Sequence, residues 1–261
     1  MSLEFEPGFD IIPVFDPLGF EYGEGVFGPE VENRTLDSIR GNLMDPECDG
    51  PDIVYSIAMD VGKEKDKQAM VDRDLLYGAV TYAKGLLGKE PVRSQGHIHA
   101  ISASCGSSTC EVYEIWGGKA CIYMQETAQD DPGRCFAVMA NPGDVVIVPP
   151  GWAHCTIVAD VNQNMTFGAW CVRDFGFDYV DVRKHKGVAW FPIVNEKQEI
   201  EFVPNPHYQA QKCVVKSPRI YTEFGLEPGK PIYQQFEENP DKFLFVSKPD
   251  TAKEKWLDFI P

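Results

Sequence analysis

The sequence predicts an all-β fold, an antiparallel barrel or sandwich, and two observations support this class. Between residues 76 and 172, short runs of strand-forming residues recur about every eight to twelve residues and are bounded by Gly, Pro and Asn. No helical pattern separates these runs. Strands that follow one another without intervening helices are typical of antiparallel barrels and sandwiches.

Eight strands are predicted in this central block. They span residues 78–83, 91–99, 111–116, 119–125, 135–139, 144–148, 156–158 and 165–172. The pair Gly117-Gly118 is typical of a two-residue hairpin turn between the third and fourth of them. The run 141–144, Asn-Pro-Gly-Asp, predicts a turn before a buried strand.

The flanking regions differ in composition from the block and suggest three parts. Residues 1–52 are rich in Gly, Pro and Phe, which predicts an N-terminal arm running over a core. The barrel itself is assigned to residues 53–208, with a helical turn somewhere in the charged stretch 62–74. Residues 209–261 are expected to form a C-terminal extension packed on the barrel, with one helix at 251–259.

Charge and cysteine usage exclude several classes of function. The chain has 24 Lys and Arg against 40 Asp and Glu, a formal net charge of −16. Repulsion makes nucleic acid and anionic membranes unexpected partners, and the apolar run 145–150 is far too short to span a bilayer. The N-terminal residues show no basic cluster and the eight cysteines form no CxxC pair, so we expect no signal peptide, reduced thiols and a cytoplasmic location.

The candidate chemistry centres on three of the five histidines and one glutamate. His97 and His99 are two residues apart on a predicted strand, so both imidazoles would lie on one face. Glu111 begins the next predicted strand, and His154 follows a Pro-Pro-Gly-Trp-Ala turn. Three imidazoles and one carboxylate suit a divalent transition metal with positions left open for water or substrate.

These residues match the two motifs of the cupin superfamily, and the chain therefore resembles a double-stranded β-helix barrel. The first motif is present as His97, His99, Glu111 and Gly118, and the second as Gly143, Pro149, Gly151 and His154. Two departures are visible. Eleven residues separate His99 from Glu111, where the general pattern has three or four, and Val158 stands where the second motif often has Asn.

Within that superfamily the chain resembles the cupin-type glucose-6-phosphate isomerases. The similar segments are GKEPVRSQGHIHA, EVYEIWGGKACIYMQ and PGDVVIVPPGWAHCTIV, with weaker similarity from about residue 31 to 208. The resemblance implies that His97, His99, Glu111 and His154 are metal ligands and that Glu111 and Tyr113 act in catalysis. It also implies that the substrate phosphate lies near Thr81, Ser94, Gly96 and Tyr179. Two other pocket positions of the family, a Tyr and a His, are Cys171 and Phe177 here.

One further candidate comes from strand alternation alone. Counting by two from His97 places Arg93 and Gln95 on the same face as the ligands. Arg93 is therefore expected to hold the phosphate with paired N–H donors. The alternative is a structural salt bridge with one of the many acidic residues.

The leading hypothesis is a metal-dependent aldose–ketose isomerase of a sugar phosphate, glucose 6-phosphate to fructose 6-phosphate. A metal would polarise the carbonyl and stabilise an enediolate, with Glu111 as ligand alone or as ligand and base; a direct hydride shift fits the sequence equally. We expect one divalent metal per chain, iron before manganese, zinc or nickel, and, from the resemblance, a homodimer. The alternatives are a cupin dioxygenase with three His and one Glu around iron, and a non-catalytic sugar-binding cupin.

Overall fold

The computed structural model of the protein describes residues 3–261, which form twenty strands and six short α-helices. The strands are β1 Ile11–Phe15, β2 Leu18–Tyr22, β3 Val26–Phe27, β4 Glu32–Thr35, β5 Ile53–Met59, β6 Gly62–Lys63, β7 Leu75–Tyr82, β8 Leu86–Leu87, β9 Glu90–Pro91, β10 Ile98–His99, β11 Glu111–Gly117, β12 Ala120–Gln125, β13 Cys135–Ala140, β14 Val145–Val148, β15 Ala153–Val158, β16 Met165–Val172, β17 Phe177–Asp178, β18 Trp190–Val194, β19 Ile200–Pro204 and β20 Cys213–Lys216. The helices are α1 Leu36–Ile39, α2 Lys67–Val71, α3 Val180–Lys184, α4 Ile232–Glu238, α5 Leu244–Ser247 and α6 Lys253–Trp256. Short 3-10 helices lie at Arg40–Asn42, Glu64–Asp66, Thr222–Phe224, Pro240–Phe243 and Pro249–Ala252.

Two sheets form the body of the fold. One has six strands in the order β14-β11-β16-β7-β5-β4, all antiparallel to their neighbours, and the other has four in the order β15-β12-β13-β20. Alternate residues of both sheets, such as Tyr113 and Ile115 on β11 and Ile122 and Met124 on β12, enter one apolar cluster. The sheets therefore face each other across a shared interior, and the predicted all-β class is confirmed.

The outer face of each sheet is also covered. Val112 and Trp116, which alternate with Tyr113 and Ile115 on β11, pack in a second apolar cluster with residues of the C-terminal segment. Trp170 on β16 lies 4.6 Å from the ring of Phe236 on α4, and its indole N–H donates to the Ile232 carbonyl at 3.3 Å. On the four-stranded sheet, Cys121 and Tyr123 pack with Val182 and Val188 in a third cluster.

Most of the predicted strands are present, with changed ends. β7 begins at Leu75 and β15 at Ala153, each three residues before the predicted start, and no helix interrupts the chain from β7 to β16. Within 62–74 the expected helical turn is present as the 3-10 helix Glu64–Asp66 and α2. The helix predicted at 251–259 is shorter, because α6 covers only Lys253–Trp256.

Two local predictions were wrong. Gly117-Gly118 does not close a hairpin, because β11 pairs with β14 and β16 whereas β12 pairs with β13 and β15. The glycines carry the chain from one sheet to the other, and Gly118 has φ +70°, where an added Cβ would lie 2.4 Å from the Asn164 carbonyl oxygen. The predicted strand 91–99 is interrupted, with only β9, β10 and isolated bridges at Arg93 and His97.

The N-terminal and C-terminal segments both contact the two-sheet body. β4 pairs with β5 and forms one edge of the six-stranded sheet, while β20 pairs in parallel with β13 at an edge of the other sheet. None of the helices formed by residues 3–261 is both long and apolar enough to cross a lipid bilayer.

Candidate metal centre

Four side chains meet at one end of the interior. His97, His99, Glu111 and His154, which we call the ligand cluster, each offer one ligand atom, and these atoms all lie within 4.8 Å of one another. Backbone pairing brings the segments together: the His97 amide donates to the His154 carbonyl at 3.0 Å, and the His154 amide donates to the His97 carbonyl at 2.9 Å. Glu111 enters from β11 on the opposite sheet. The four residues that the sequence singles out therefore lie together in one cluster.

Two histidines are held with a defined nitrogen toward the cluster. His99 Nδ1 donates to the Thr109 carbonyl at 3.0 Å, and His154 Nδ1 donates to the Trp152 carbonyl at 3.1 Å. Because a carbonyl oxygen only accepts, these contacts place the proton on Nδ1 and present the Nε2 lone pair to the cluster.

The cluster has the properties of a cation site. Nε2 of His99 and of His154 lie 3.1 Å and 3.4 Å from Glu111 Oε2, so acceptors face one another. His97 Nε2 and His154 Nε2 are buried and have no hydrogen-bond partner among the described residues. Buried polar atoms are almost always satisfied, and a divalent cation between them would satisfy all four ligands. The donor set fits a transition metal of the iron, manganese, zinc or nickel type.

Electrostatics keep the cluster in its metal-binding state. Burial, together with the neighbouring His154 and His99, lowers the pKa of His97 well below its usual value, so this imidazole is neutral. Burial alone would raise the pKa of Glu111, but its histidine neighbours His154 and His99 outweigh this effect and hold that pKa well below the usual range. A neutral imidazole and an ionised carboxylate are the forms that bind metals.

Both Glu111 oxygens have further donors. The Tyr113 hydroxyl donates to Oε2 at 2.7 Å, and the Cys171 thiol donates to Oε1 at 3.4 Å. Burial, and then the Glu111 charge, raises the pKa of Tyr113 well above its usual value, so it stays a donor. Cys171, one of the two positions where the resemblance implies a different residue, therefore hydrogen-bonds to the carboxylate.

The ligand cluster lines a partly open cavity. Much of the remaining wall is apolar or aromatic, including Met59, Tyr82 and Phe167. Phe177, the second substituted position, also lines the cavity, with its ring 4.6 Å from that of His97. Ala100 and Thr109 at the two ends of the long insert contribute as well, so the insert forms part of the cavity wall.

The four residues suggested for phosphate binding divide into two pairs. Ser94 and Tyr179 line the cavity, and the Tyr179 ring is 6.0 Å from that of His97. Thr81 does not, because its neighbours Val80 and Tyr82 take the cavity face of β7 and its own hydroxyl contacts Thr166 at 3.2 Å.

Gly96 also lies outside the lining. It has φ +90°, and an added Cβ would lie 2.7 Å from Val188 Cγ1. This close approach explains the glycine without a ligand. The positive φ also breaks the strand just before His97.

Arg93 lies on the opposite face from the ligands, so the alternation argument was wrong. The isolated bridges pair His97 with His154 but Arg93 with Ile157. His154 and Ile157 are three residues apart on β15 and therefore point to opposite faces, and paired residues share a face. Gln95 is likewise absent from the lining; its side-chain oxygen accepts from Asn42 Nδ2 at 2.8 Å.

The Arg93 guanidinium is satisfied by protein groups, as the salt-bridge alternative predicted. It is fully buried, its Nε donates to Glu90 at 2.7 Å, and its terminal nitrogens donate to the Ser94 and Asn42 carbonyls at 2.9 Å and 2.7 Å. This arrangement leaves no donor directed at the cavity.

Sequence reasoning missed a second arginine, Arg34. It lies on β4 in register with Tyr55, whose side chain lines the cavity. No motif marks Arg34 in the sequence, and only the pairing of β4 with β5 places it near the site.

Comparisons with known proteins agree with the geometry. The family model described as Glucose-6-phosphate isomerase (GPI) matches residues 43–209. A glucose-6-phosphate isomerase of Thermococcus onnurineus is 30% identical over 183 residues, which are 68% of this chain and 87% of that protein. A glucose-6-phosphate isomerase of Pyrococcus horikoshii is 28% identical over 204 residues, covering 74% of this chain and 98% of that protein.

Among solved structures, similarity is more distant. Oxalate decarboxylase of Bacillus subtilis aligns with a TM-score of 0.32 at 14% identity, over 48% of this chain and 25% of that one. Vicilin from hazelnut, Corylus avellana, aligns with a TM-score of 0.36 at 13% identity, over 50% of this chain and 33% of that one.

Proposed function

The chain belongs to the cupin-type glucose-6-phosphate isomerase family, and we propose that it interconverts glucose 6-phosphate and fructose 6-phosphate with one divalent metal per chain. The observation that carries the proposal is the ligand cluster, whose ligand atoms lie within 4.8 Å of one another at the end of a cavity. A sugar bound there would place its C1 and C2 oxygens beside the cluster.

The protein groups around the cluster suit aldose–ketose exchange. A bound divalent cation would act as a Lewis acid that polarises the sugar carbonyl. Glu111, held ionised, is the only carboxylate among the described residues that line the cavity, and it is the base we propose for moving a proton between C1 and C2. Tyr113 fixes Oε2 of that carboxylate through its 2.7 Å hydrogen bond.

The mechanism has an alternative in which hydrogen moves directly between the two carbons as a hydride. The two routes differ in whether the migrating hydrogen can exchange with solvent. Fructose 6-phosphate carrying deuterium at C1 would lose label to solvent if Glu111 carries the proton, and would deliver the label to C2 in the hydride route.

The finer features of the proposal come from the resemblance. We propose iron as the preferred metal, a homodimer as the assembly, the cytoplasm as the compartment, and glycolysis and gluconeogenesis as the pathways served. Metal analysis of the isolated protein and sedimentation velocity address the first two directly.

The competing function is a cupin dioxygenase, and one observation favours it. The cavity wall is rich in apolar and aromatic side chains such as Met59, Phe167 and Phe175, which would suit an apolar substrate better than a polyol. A non-catalytic sugar-binding cupin is less well supported, because the chain retains a complete set of four ligands.

A coupled assay separates these functions. Protein loaded separately with iron, manganese, zinc or nickel is given fructose 6-phosphate, and glucose 6-phosphate formation is followed beside oxygen uptake. We expect isomerisation without oxygen uptake, and loss of turnover after chelation. Oxygen uptake with an aromatic or thiol substrate, and no isomerisation with any metal, would support the dioxygenase instead.

A further inference from the structure

The cavity lacks a positive charge for the substrate's phosphate. Its lining, within residues 3–261, includes neither lysine nor arginine, although the chain carries a formal net charge of −16. A sugar phosphate is a dianion, and the metal binds the opposite end of the sugar under the proposed function. A local cation at the edge of the cavity would offset repulsion by the whole protein.

Arg34 occupies such an edge position. It lies on β4, the last strand of the six-stranded sheet, directly opposite Tyr55 on β5. Cross-strand partners share a face of the sheet, and Tyr55 is part of the cavity wall, stacked on Tyr82 at 4.8 Å. The Arg34 side chain thus leaves the sheet on the face that it shares with Tyr55, and it is only 17% exposed.

The charge of Arg34 acts on residues of the cavity. Burial raises the pKa of Tyr179, and the nearby Arg34 guanidinium opposes part of this increase. Tyr179 lines the cavity, and its ring centroid lies 6.0 Å from that of His97. Arg34 therefore lies beside Tyr55 and Tyr179, just outside the residues that line the cavity.

The other arginines near the site are less suitable. Arg93 is fully buried on the outer face and bonded to Glu90. Arg183 is exposed and stacks on the Tyr179 ring at 4.6 Å. Arg34, by contrast, pairs with Glu32, whose side chain is 69% exposed. Because the Glu32 carboxylate is largely exposed, it can turn into solvent and leave the Arg34 guanidinium to a phosphate dianion.

We propose that Arg34 is the phosphate-recognition residue of this enzyme, exchanging Glu32 for the phosphate oxygens at the cavity mouth, with the Tyr179 hydroxyl as a second donor. The inference rests on the proposed function, because it assumes a phosphorylated sugar whose reacting end lies at the ligand cluster. It replaces the role that the sequence suggested for Arg93.

The test compares Arg34→Gln with the metal-loaded parent. If the charge-assisted hydrogen bond from Arg34 to the phosphate is equally strong in the ground and transition states, its loss should raise KM for fructose 6-phosphate roughly 10- to 100-fold. The value of kcat should change by less than about twofold. Calorimetry should show the same loss in binding of fructose 6-phosphate but unchanged binding of fructose. Arg34→Lys should recover part of the affinity, because it keeps the charge but not the two-donor geometry.

A second variant distinguishes recognition from a structural role. Glu32→Gln removes the competing carboxylate, so KM should fall by about twofold if the guanidinium is released to phosphate. If the ion pair only holds β4 in place, KM should stay the same or rise.

The chain offers a matched control pair. Arg73 and Asp241 form an ion pair with side-chain exposures of 24% and 65%, close to the 17% and 69% of Arg34 and Glu32. Neither residue lines the cavity. Arg73→Gln and Asp241→Asn should leave KM unchanged.

The outcomes separate the two proposals. No conversion of fructose 6-phosphate by the parent with any metal would overturn the proposed function. Conversion by the parent, together with an unchanged KM in a folded, metal-loaded Arg34→Gln variant, would overturn the inference and leave the function intact.

Discussion

The inner and outer faces of strand β11 carry two buried carboxylates in different environments. Glu111 faces the cavity, with His99 and His154 at 3.1 Å and 3.4 Å. Glu114 faces the C-terminal helices, where it accepts from the Ile232 amide at 2.7 Å and the Trp116 indole at 3.1 Å. Burial raises the pKa of Glu114 to about 8, against the opposing effect of these donors, whereas the pKa of Glu111 is lowered.

The comparison separates catalytic chemistry from fold stability. Both carboxylates are removed from water, so burial alone does not decide their protonation. Histidine neighbours keep Glu111 ionised and available to a metal, while neutral N–H donors leave Glu114 favouring its protonated form. We therefore expect substitutions facing the cavity to change function, and substitutions facing outward to change stability.

The largest effect is expected from His154→Ala on the inner face. Losing one of four ligands should reduce bound metal to near zero and activity by at least about 100-fold, since ligand sets act together. The fold should persist, because the two sheets share a large apolar core. Elemental analysis, turnover and circular dichroism are the measurements.

His207→Ala is the matched control, because His207 is exposed and outside the cluster. Global unfolding of His154→Ala, or full metal content in it, would contradict the assignment of this face to function.

The next effect in size is expected from Arg93→Met on the outer side. Removing Arg93 leaves the buried Glu90 carboxylate, only 1% exposed, without its ionic partner. Breaking such a pair costs about 3–5 kcal/mol of unfolding free energy, which urea denaturation would measure. KM for fructose 6-phosphate in the folded protein should not change. A raised KM with unchanged unfolding free energy would contradict the assignment of Arg93 to a structural role. It would support Arg93 as a phosphate ligand instead.

A smaller, pH-dependent effect is expected from Glu114→Gln. The folded pKa of about 8 lies above the ordinary glutamate value of 4.5, so between these pH values the folded state holds a proton that the unfolded state has lost. This stabilisation is complete below about pH 4.5 and is lost as pH rises toward 8. Between pH 6 and 8, the unfolding free energy of the parent should therefore fall by about 2 kcal/mol more than that of the variant.

Urea denaturation at the two pH values provides the measurement. If the unfolding free energy changed with pH equally in parent and variant, Glu114 would not titrate in this range. The proposed difference between Glu114 and Glu111 would then be wrong.

The sequence predicted the ligand cluster because its members are marked by short local patterns. His97 and His99 are two residues apart, and all four members lie in segments that match the two cupin motifs, so they could be identified even though long-range pairing brings them together. The fold class was predictable for a similar reason, since alternation within each strand determines which residues enter the core.

The prediction failed where placement depends on register or on chain connection between distant segments. From the His97–His154 bridge to the Arg93–Ile157 bridge, one segment advances by four residues and the other by three. This shift of one residue in register places Arg93 on the opposite face from His97. Arg34 reaches the cavity only through the pairing of β4 with β5, which no local pattern indicates. The Gly117-Gly118 turn likewise has the sequence of a hairpin but joins two different sheets.

The central claim is that the ligand cluster is a metal centre required for isomerisation. The most direct test titrates a divalent metal into chelated protein while following conversion of fructose 6-phosphate, with the chain concentration known independently. The account predicts no turnover at the start and a linear rise that levels off at one metal per chain. Full turnover in protein without metal, or bound metal that leaves the rate unchanged, would contradict it.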